Sequence, residues 1–174
     1  ESLRMKRLLG DLKKLARLES DDAITLIAKQ PLNFTELCQD EIPLFLELAK
    51  DKNIAFTQEL QLTLPDIQGN LDWLRQCVDN LLTNAIKFTP SGGKIILKAD
   101  LNGSWLHLSI SDTGVGIPED EIPFLFERFF QAKNQEHTKS GGSGIGLSLV
   151  NELVRAMGGF INVESKIGVG SKFS

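Results

Sequence analysis

Residues 80–88 constrain this chain more than any other stretch, because three polar side chains recur there at helical spacing. Asn80 and Asn84 are four residues apart and Lys87 follows three residues later, so on an α-helix the three side chains share one stripe. The apolar residues around them gather on a broad face away from that stripe: Leu74, Val78, Leu81, Leu82, Ala85 and Phe88. The pattern predicts an amphipathic helix.

The polar stripe of this helix carries two amides and one cation instead of a mixture of salt-bridging charges. Amide oxygens are hard neutral ligands for a divalent cation, and a lysine ammonium is a point charge for anions. The stripe therefore suits a magnesium-bound polyphosphate. The alternative is an ordinary helix face in water, and the helix alone favours neither interpretation.

Composition and charge limit the classes of protein to which the chain can belong. Its 174 residues, of which 41% are apolar and 24% charged, are typical of one soluble globular domain with at most an appended element. The net charge of −4 argues against a general nucleic-acid binder. Cys38 and Cys77 match no metal or redox spacing, so we predict buried free thiols. No apolar run is long enough to span a bilayer, and we expect no membrane contact by this stretch of chain.

The first residues of the chain, to about residue 27, predict one long helix. Met5, Leu8, Leu12 and Leu15 are spaced by 3, 4 and 3 residues, which is the spacing of a coiled-coil or bundle seam. The seam needs a partner, either a second copy of the helix or the chain's own domain. Pro31 interrupts the pattern, so we divide the chain into residues 1–30 and residues 31–174.

Periodicity and turn signals predict the elements of the second part. Asn33 or Thr35 is expected to cap a helix that runs to about Lys52, and Asn70 or Asp72 to cap the helix that ends at Phe88. Residues 65–69 are expected to turn the chain. The remaining predictions are a strand at 54–58, an extended piece at 62–64, a hairpin of 94–100 with 105–112, a helical stretch at 119–130, a mobile loop at 131–141, a helix at 147–157 and a final hairpin of 160–165 with 171 onward.

Two glycine clusters follow the amphipathic helix. Asp112 closes a strand and is followed by Gly114 and Gly116; a carboxylate there can accept from an exocyclic amine while the backbone approaches a flat ring, although a turn-forming Asp is nearly as good an explanation. The second cluster, Gly142-x-Gly144-x-Gly146, opens a helix whose N–H groups and macrodipole favour an anion. It lacks the Gly-Lys-Ser/Thr of a Walker A loop and follows no strand, which disfavours the dinucleotide fingerprint.

The order of these segments resembles the catalytic and ATP-binding domain of sensor histidine kinases, in the GHKL superfamily. The resemblance covers nearly all of residues 33–174. The matching segments are residues 79–88 (N box), 112–118 (G1), 126–130 (F box), 142–147 (G2) and the closing glycine motif at 168–173. It implies an α+β fold: a two-layer sandwich of the Bergerat type, in which a mixed sheet is covered on one face by helices, with a long N-terminal helix added.

The resemblance also implies a role for the matching side chains, with ATP and Mg²⁺ as cofactors. Asn84, helped by Asn80, would hold magnesium bridging the phosphates, and Lys87 would meet the phosphates; Asn80 and Lys87 are thus the expected catalytic residues. Phe88 would flank the nucleotide, and Asp112 would accept from the adenine amine. The other expected nucleotide-binding residues are Gly114, Gly116, Ile117, Phe129, Lys133, Gly142, Ser143, Gly144, Gly146 and Leu147.

The loop after the F box would be a lid, spanning residues 131–142, over the triphosphate. Phe126, Phe129 and Phe130 would anchor it, or serve as ordinary core. Gln131 stands where many family members carry a basic residue, so Lys133 or Lys139 is expected to supply the phosphate contact instead.

The N-terminal helix resembles the second helix of the dimerisation and phosphotransfer hairpin. The expected partners are therefore a second copy of the parent protein and a cognate response regulator, and the expected location is the cytoplasm, with a parent that could be membrane-anchored. His107 lies in a predicted strand and His137 in the predicted lid. We therefore expect the phosphoacceptor histidine on the first hairpin helix, upstream of this sequence.

The residue one helical turn before Asn84 separates a kinase from an ATPase. Gyrase-type and chaperone ATPases of this fold place a water-activating glutamate there, whereas this chain has Asn80, an amide that cannot take a proton. Asp79 is adjacent but about 100° round the helix. Positioning without such a base favours phosphoryl transfer to an acceptor group over hydrolysis. The alternatives are a GHKL-fold ATPase, a non-catalytic nucleotide-sensing domain and a protein-serine kinase of the same fold, which the bundle-like helix disfavours.

Overall fold

The computed structural model of the chain describes residues 10, 13, 30–61, 64–133 and 143–174. Gly10 and Lys13 are helical, and the rest of the predicted N-terminal helix lies outside the described residues. In chain order the elements are β1 Gln30–Leu32, α1 Phe34–Asp51, β2 Ala55–Leu60, β3 Ile67–Gly69, α2 Leu71–Phe88, β4 Lys94–Asn102, β5 Trp105–Asp112, a 3₁₀ helix Glu119–Phe124, α3 Gly146–Ala156, β6 Val163–Lys166 and β7 Gly170–Phe173.

The sheet that organises the fold has five strands in the order β2-β4-β5-β7-β6. β2 pairs with β4 in parallel, and the other three pairings are antiparallel. β4 and β5 form the predicted hairpin, in which Leu97 lies opposite Ile110 and Asn102 opposite Trp105. The mixed sheet places the end of β5 beside β7, so Asp112 lies opposite Ser171 near the middle of the sheet.

Alternation along the strands decides which face of the sheet the helices cover. Ile95, Leu97 and Ala99 of β4 are buried, whereas Ile96 and Lys98 between them are exposed. On the exposed face Asp100 lies 3.7 Å from the Lys98 ammonium and 3.3 Å from Nδ1 of His107. One covered and one polar face are the pattern of a half-buried sheet. The predicted α+β sandwich, with helices on one face of a mixed sheet, is therefore confirmed.

The caps of the two long helices follow the predicted residue types. Asn33 caps α1, its side-chain oxygen accepting from the N–H groups of Thr35 and Glu36. Asn70 caps α2 by accepting from Trp73 N at 3.1 Å. The helix predicted around residues 80–88 therefore starts at the residue after Asn70 and buries Leu74, Val78, Leu81, Leu82 and Ala85 as expected.

Several local predictions need correction. Residues 67–69 were expected to turn the chain, but they form β3, which pairs antiparallel with β1 at residues 30–32. This pairing joins residues far apart in the sequence, so local turn signals could not indicate it. The stretch at 119–130 begins as a 3₁₀ helix that ends at Phe124. The first strand of the final hairpin begins at Val163 instead of Phe160.

Two further sequence predictions concern the bulk properties of the chain. Cys38 and Cys77 are both free and buried, as predicted. Across the described ranges, we find no helix with the length and apolarity needed to cross a membrane.

Candidate nucleotide-binding site

A narrow pocket lies between α2, the end of β5 and β7. The described residues that line it are Asn84, Ala85, Phe88, Asp112, Gly116, Ile117, Leu125, Leu147, Ser171 and Phe173. The N box, G1, the segment before the F box, G2 and the closing glycine motif thus each contribute a residue. The cavity volume is about 30 Å³.

A larger open groove of about 540 Å³ lies elsewhere, between the end of α1 and residues 92–93. It is lined by Leu46, Lys50 and Phe56 among others, and by none of the predicted site residues. The larger of the two cavities is therefore not the one that contains the predicted site residues. The smaller pocket is the one that brings together the carboxylate, the amide and the glycine loops.

Asp112 is the polar residue at the inner end of the pocket. As the last residue of β5 it lies opposite Ile95, whose side chain is buried, so its side chain is on the helix-covered face of the sheet. Its Oδ1 accepts from Gly114 N at 2.8 Å. Burial raises the pKa of the Asp112 carboxyl, and the N–H groups of Gly114 and Ser171 oppose that shift. The carboxylate is fixed in place as an acceptor in a poorly solvated site.

The two G1 glycines are required by close packing of the protein backbone. A Cβ on Gly114 would lie 2.6 Å from both Asp112 Oδ1 and the Phe88 carbonyl oxygen. Gly116 has φ +70°, and its Cβ would collide with the carbonyl oxygen of Lys166. A side chain at either position would therefore displace the loop. The room that the sequence suggested for a ring is thus occupied in part by the chain's own backbone.

Asn80, the first residue of the predicted polar stripe of α2, lies against Gly146 of the second glycine loop. Nδ2 of Asn80 donates to the Gln76 carbonyl at 3.0 Å, and a Cβ on Gly146 would come within 3.0 Å of Asn80 Oδ1. Asn84, one turn later, lines the pocket. The ammonium of Lys87 lies 4.6 Å from the centre of the Phe88 ring. Within the described residues no group of three or more His, Cys, Asp or Glu could hold a metal ion.

The second glycine loop packs against the end of the F box. Phe129 has φ +66° and its N–H donates to the Gly144 carbonyl at 2.9 Å. Gly144 has φ +70°, and a Cβ there would lie 2.6 Å from Phe129 Cα. Residues with a side chain rarely adopt a positive φ. The hydrogen bond and close contact between Phe129 and Gly144 hold the two segments together. The ring of Phe129 is 62% exposed and does not line the pocket.

The N-terminus of α3 is open to an anion. Among the residues that the structure describes, no side chain caps it, and no acidic residue lies in its first turn. Ser143 accepts from Ile145 N at 3.3 Å just before the helix begins. Unpaired N–H groups and the positive end of the helix dipole favour a phosphate at such a terminus. Gly146 and Leu147, both predicted site residues, are the first two residues of this helix.

The lid prediction falls mostly outside the described part of the chain. Gly142, His137 and Lys139 lie outside the described residues, as does the rest of 134–142. Before that segment, Lys133 N donates to Glu121 Oε2 at 3.1 Å. The Lys133 backbone is thereby anchored to the 3₁₀ helix.

Four pocket residues were missed as site residues by the sequence reasoning: Ala85, Leu125, Ser171 and Phe173. Ser171 and Phe173 belong to the closing glycine motif. The hydroxyl of Ser171 directly after Gly170 could have indicated a residue close to the site. Ser165 was also missed. Its Oγ accepts from Ile117 N at 2.8 Å, donates to the Gly170 carbonyl at 3.0 Å and lies 2.9 Å from Ser171 Oγ. Because Ser165 has one hydroxyl proton, Ser171 must donate in their shared bond.

Comparison with known proteins agrees with this geometry. The chain is 32% identical to the sensor histidine kinase WalK of Bacillus subtilis (strain 168) over 174 residues, which are 98% of this chain and 28% of WalK. Its structure is similar to full-length ShkA in complex with AMPPNP, with a TM-score of 0.75 and 27% identity over 96% of this chain and 35% of ShkA. It is also similar to the catalytic domain of histidine kinase ThkA, with a TM-score of 0.72 and 28% identity over 83% of this chain and 91% of that domain.

A family match covers the same elements that build the pocket. Residues 69–174, from the end of β3 through β7, match the family described as histidine kinase-, DNA gyrase B-, and HSP90-like ATPases. The match includes both glycine loops and the whole of α2. The chain therefore belongs to this family, and the three relatives described above include two that are named as histidine kinases, WalK and ThkA.

Proposed function

We propose that this chain is the ATP-binding catalytic part of a sensor histidine kinase, which transfers the γ-phosphate of ATP to a histidine on a dimerisation helix. The observation that carries the proposal is the pocket in which Asp112, Asn84 and the first turn of α3 meet. A carboxylate for the base, an amide for a metal and a helix N-terminus for phosphates are the three contacts that ATP needs. The histidine would then be phosphorylated for relay to an aspartate of a response regulator.

The adenine end of the site is proposed to depend on Asp112. Its carboxylate would accept a hydrogen bond from the exocyclic amine, while Phe88 and Ile117 would pack against the ring. The bond from Gly114 N to Asp112 Oδ1 would hold the carboxylate in place for that contact. Ser171 lines the same pocket and lies opposite Asp112 in the sheet.

The phosphate end is proposed to depend on α2 and α3. Asn84 and Asn80 would hold Mg²⁺, because amide oxygens suit this ion and the Asn80 Nδ2 bond to Gln76 turns Oδ1 toward Gly146. When bound, the ion neutralises charge on the β- and γ-phosphates. Lys87 would contact the same phosphates. The backbone N–H groups of Gly144, Gly146 and Leu147 would donate to the remaining phosphate oxygens. Ser143, Gly142 and Lys133 would contact the nucleotide from the ends of the lid.

Transfer to a histidine is favoured over hydrolysis by the acid–base content of the pocket. Among the described residues that line the pocket, Asp112 is the carboxylate, and its proposed role is to accept a hydrogen bond from the adenine ring. Glu121 is 7% exposed and accepts from Lys133 N, so it is occupied as a structural acceptor. Asn80 holds the position that a water-activating glutamate would need. Such a site positions phosphates for an incoming nucleophile without activating water.

The test mixes the chain with a separate hairpin that carries the acceptor histidine, together with ATP labelled on the γ-phosphate and Mg²⁺. We expect acid-labile label on the hairpin, and none with the histidine-to-alanine hairpin. The variant Asp112→Asn should lower the transfer rate. Tight binding of ATP without label on the hairpin would favour a nucleotide sensor, and labelled free phosphate alone would favour an ATPase.

The proposed parent protein is a homodimer built through residues 1–30, with residues 31–174 as the kinase domain in the cytoplasm. The seam of Met5, Leu8, Leu12 and Leu15 supports the dimer because its spacing is that of a helical bundle. The 28% share of WalK that the chain matches supports a longer parent, membrane-anchored or not. Equilibrium sedimentation with Leu8→Glu and Leu12→Glu variants tests the interface: monomers are expected, and unchanged dimers would contradict it.

A further inference from the structure

The C-terminal turn of α2 carries Lys87 and Phe88, and every carbonyl of that turn has a partner. Helix ends leave their last carbonyl oxygens without partners in the helix. Here Ala85 O accepts from Thr89 N at 3.0 Å and from Thr89 Oγ1 at 2.6 Å. Phe88 O accepts from Val115 N at 3.3 Å. The two carbonyls between them, of residues 86 and 87, accept from a single side chain.

That side chain is Lys52, at the end of α1. Its Nζ donates to Ile86 O at 2.7 Å and to Lys87 O at 2.9 Å. An ammonium has three donors, so two of the three are used on consecutive carbonyls. A cation at the negative end of a helix is also favoured by the helix dipole. Lys52 therefore caps α2 from another element of the fold.

The backbone around Lys52 fixes where its ammonium lies. Lys52 N donates to Leu48 O at 3.3 Å, which ends α1. Asn53 follows with φ +57°, its carbonyl accepts from Gly92 N at 2.8 Å, and its Nδ2 donates to Ser91 Oγ at 3.2 Å. The end of α1 is thereby attached to the turn that follows α2. The Lys52 stem starts from a braced position and reaches back to the helix end.

We propose that Lys52 is a positioning residue for the nucleotide site. It fixes the last turn of α2 and so the direction of Lys87 and Phe88. Through the bond between Phe88 O and Val115 N it also fixes the G1 loop, which carries Gly116 and Ile117 of the pocket. The inference rests on the proposed function, since it assigns Lys52 to the same ATP site, although Lys52 is not among the residues that line the pocket.

The test compares Lys52→Met with Lys52→Arg and with Lys50→Met. Methionine keeps an unbranched stem and removes the ammonium, arginine keeps a cationic donor, and Lys50 is an exposed lysine of the last turn of α1. Loss of the capping bonds should weaken Mg²⁺–ATP binding by about threefold to tenfold in Lys52→Met, less than for a lost direct contact to a charged group, because Lys52 acts on the site only through the end of α2. Arginine should restore most of the affinity, and Lys50→Met should match the unmodified chain.

Amide hydrogen exchange supplies a readout that needs no nucleotide. Lys52→Met should speed exchange at Val115 N, while exchange at sheet amides such as Ile110 stays unchanged. Faster exchange at Val115 with weaker ATP binding supports the inference. Unchanged ATP affinity in a Lys52→Met chain whose melting temperature has fallen would overturn it, because Lys52 would then stabilise the fold alone. If the unmodified chain binds no ATP, the proposed function fails. Unchanged exchange at Val115 in Lys52→Met separately overturns the inference that Lys52 positions the G1 loop.

Discussion

Gly146, the first residue of α3, lies against Asn80 of α2, so that a Cβ on Gly146 would come within 3.0 Å of Asn80 Oδ1. This contact brings the helix N-terminus proposed for the phosphates to the amide proposed for the metal. Gly146→Ala suits a helix start but must push the Asn80 amide aside. We expect Mg²⁺–ATP affinity to fall about tenfold or more with little loss of stability, measured by calorimetric titration and thermal melting. Glu152→Ala, on the exposed side of α3, is the matched control, and equal affinities in the two variants would contradict the contact's role.

Asn84→Ala tests the proposed metal ligand. Removal of the amide should abolish the Mg²⁺ dependence of nucleotide binding, since the Asn84 oxygen is the proposed ligand of the ion. The measurement is ATP titration in Mg²⁺ and in EDTA. Thr83→Ala, an exposed neighbour on α2, should keep the difference between the two conditions. A full Mg²⁺ response in Asn84→Ala would remove Asn84 from the site.

Asp112 should link both stability and binding to pH. Because burial raises the pKa of its carboxyl in the folded chain, the folded state holds a proton that the unfolded state has lost between the two pKa values. The contribution of Asp112 to the free energy of unfolding therefore falls as pH rises through that window, and Asp112→Asn should remove this dependence. Chemical denaturation of both chains across acidic pH measures it, and parallel profiles would contradict the burial effect.

Nucleotide binding should respond to Asp112 in the opposite sense. An ionised carboxylate is the stronger acceptor, so affinity should decline as pH falls through the raised pKa, at a higher pH than for an exposed aspartate. Asp112→Asn should weaken ATP binding about tenfold or more at neutral pH, as expected for a lost hydrogen bond to a charged group. Adenine-nucleotide affinity that is independent of pH in the unmodified chain would argue against this role.

Cys38 and Cys77 should be unreactive in the folded chain. Burial raises the pKa of each thiol to about 12, and the thiolate is the reactive form. At pH 8 a thiol reagent such as Ellman's should modify both only after denaturant is added. Fast modification of either thiol without denaturant would show that the packing between α1 and α2 opens readily.

The parts of this fold that the sequence could predict are those set by local pattern. Asn70, the apolar face of α2 and the alternation of β4 and β5 are each visible within one segment. The pairing of β1 with β3 was not, because it joins residues 30–32 to residues 67–69. Phe129 and Gly144 both have a positive φ, and their conformations likewise depend on a contact between two loops that are separate in the sequence.

The candidate site divides in the same way. Asp112 and Asn84 could be named from strand-end and helix-stripe patterns, and the structure brings them to one pocket. Lys52 and Ser165 could not, since their hydrogen bonds reach residues 34 and 48 positions away. Their residue types have no local signature, so packing alone reveals them.

The central claim is that this site transfers phosphate to a histidine instead of to water. The most direct measurement follows the labelled γ-phosphate in a single turnover, with and without the acceptor hairpin. We predict acid-labile label on the hairpin at a rate well above the release of free phosphate, and little loss of ATP when the hairpin is absent. Release of free phosphate at the same rate in both reactions would contradict the account.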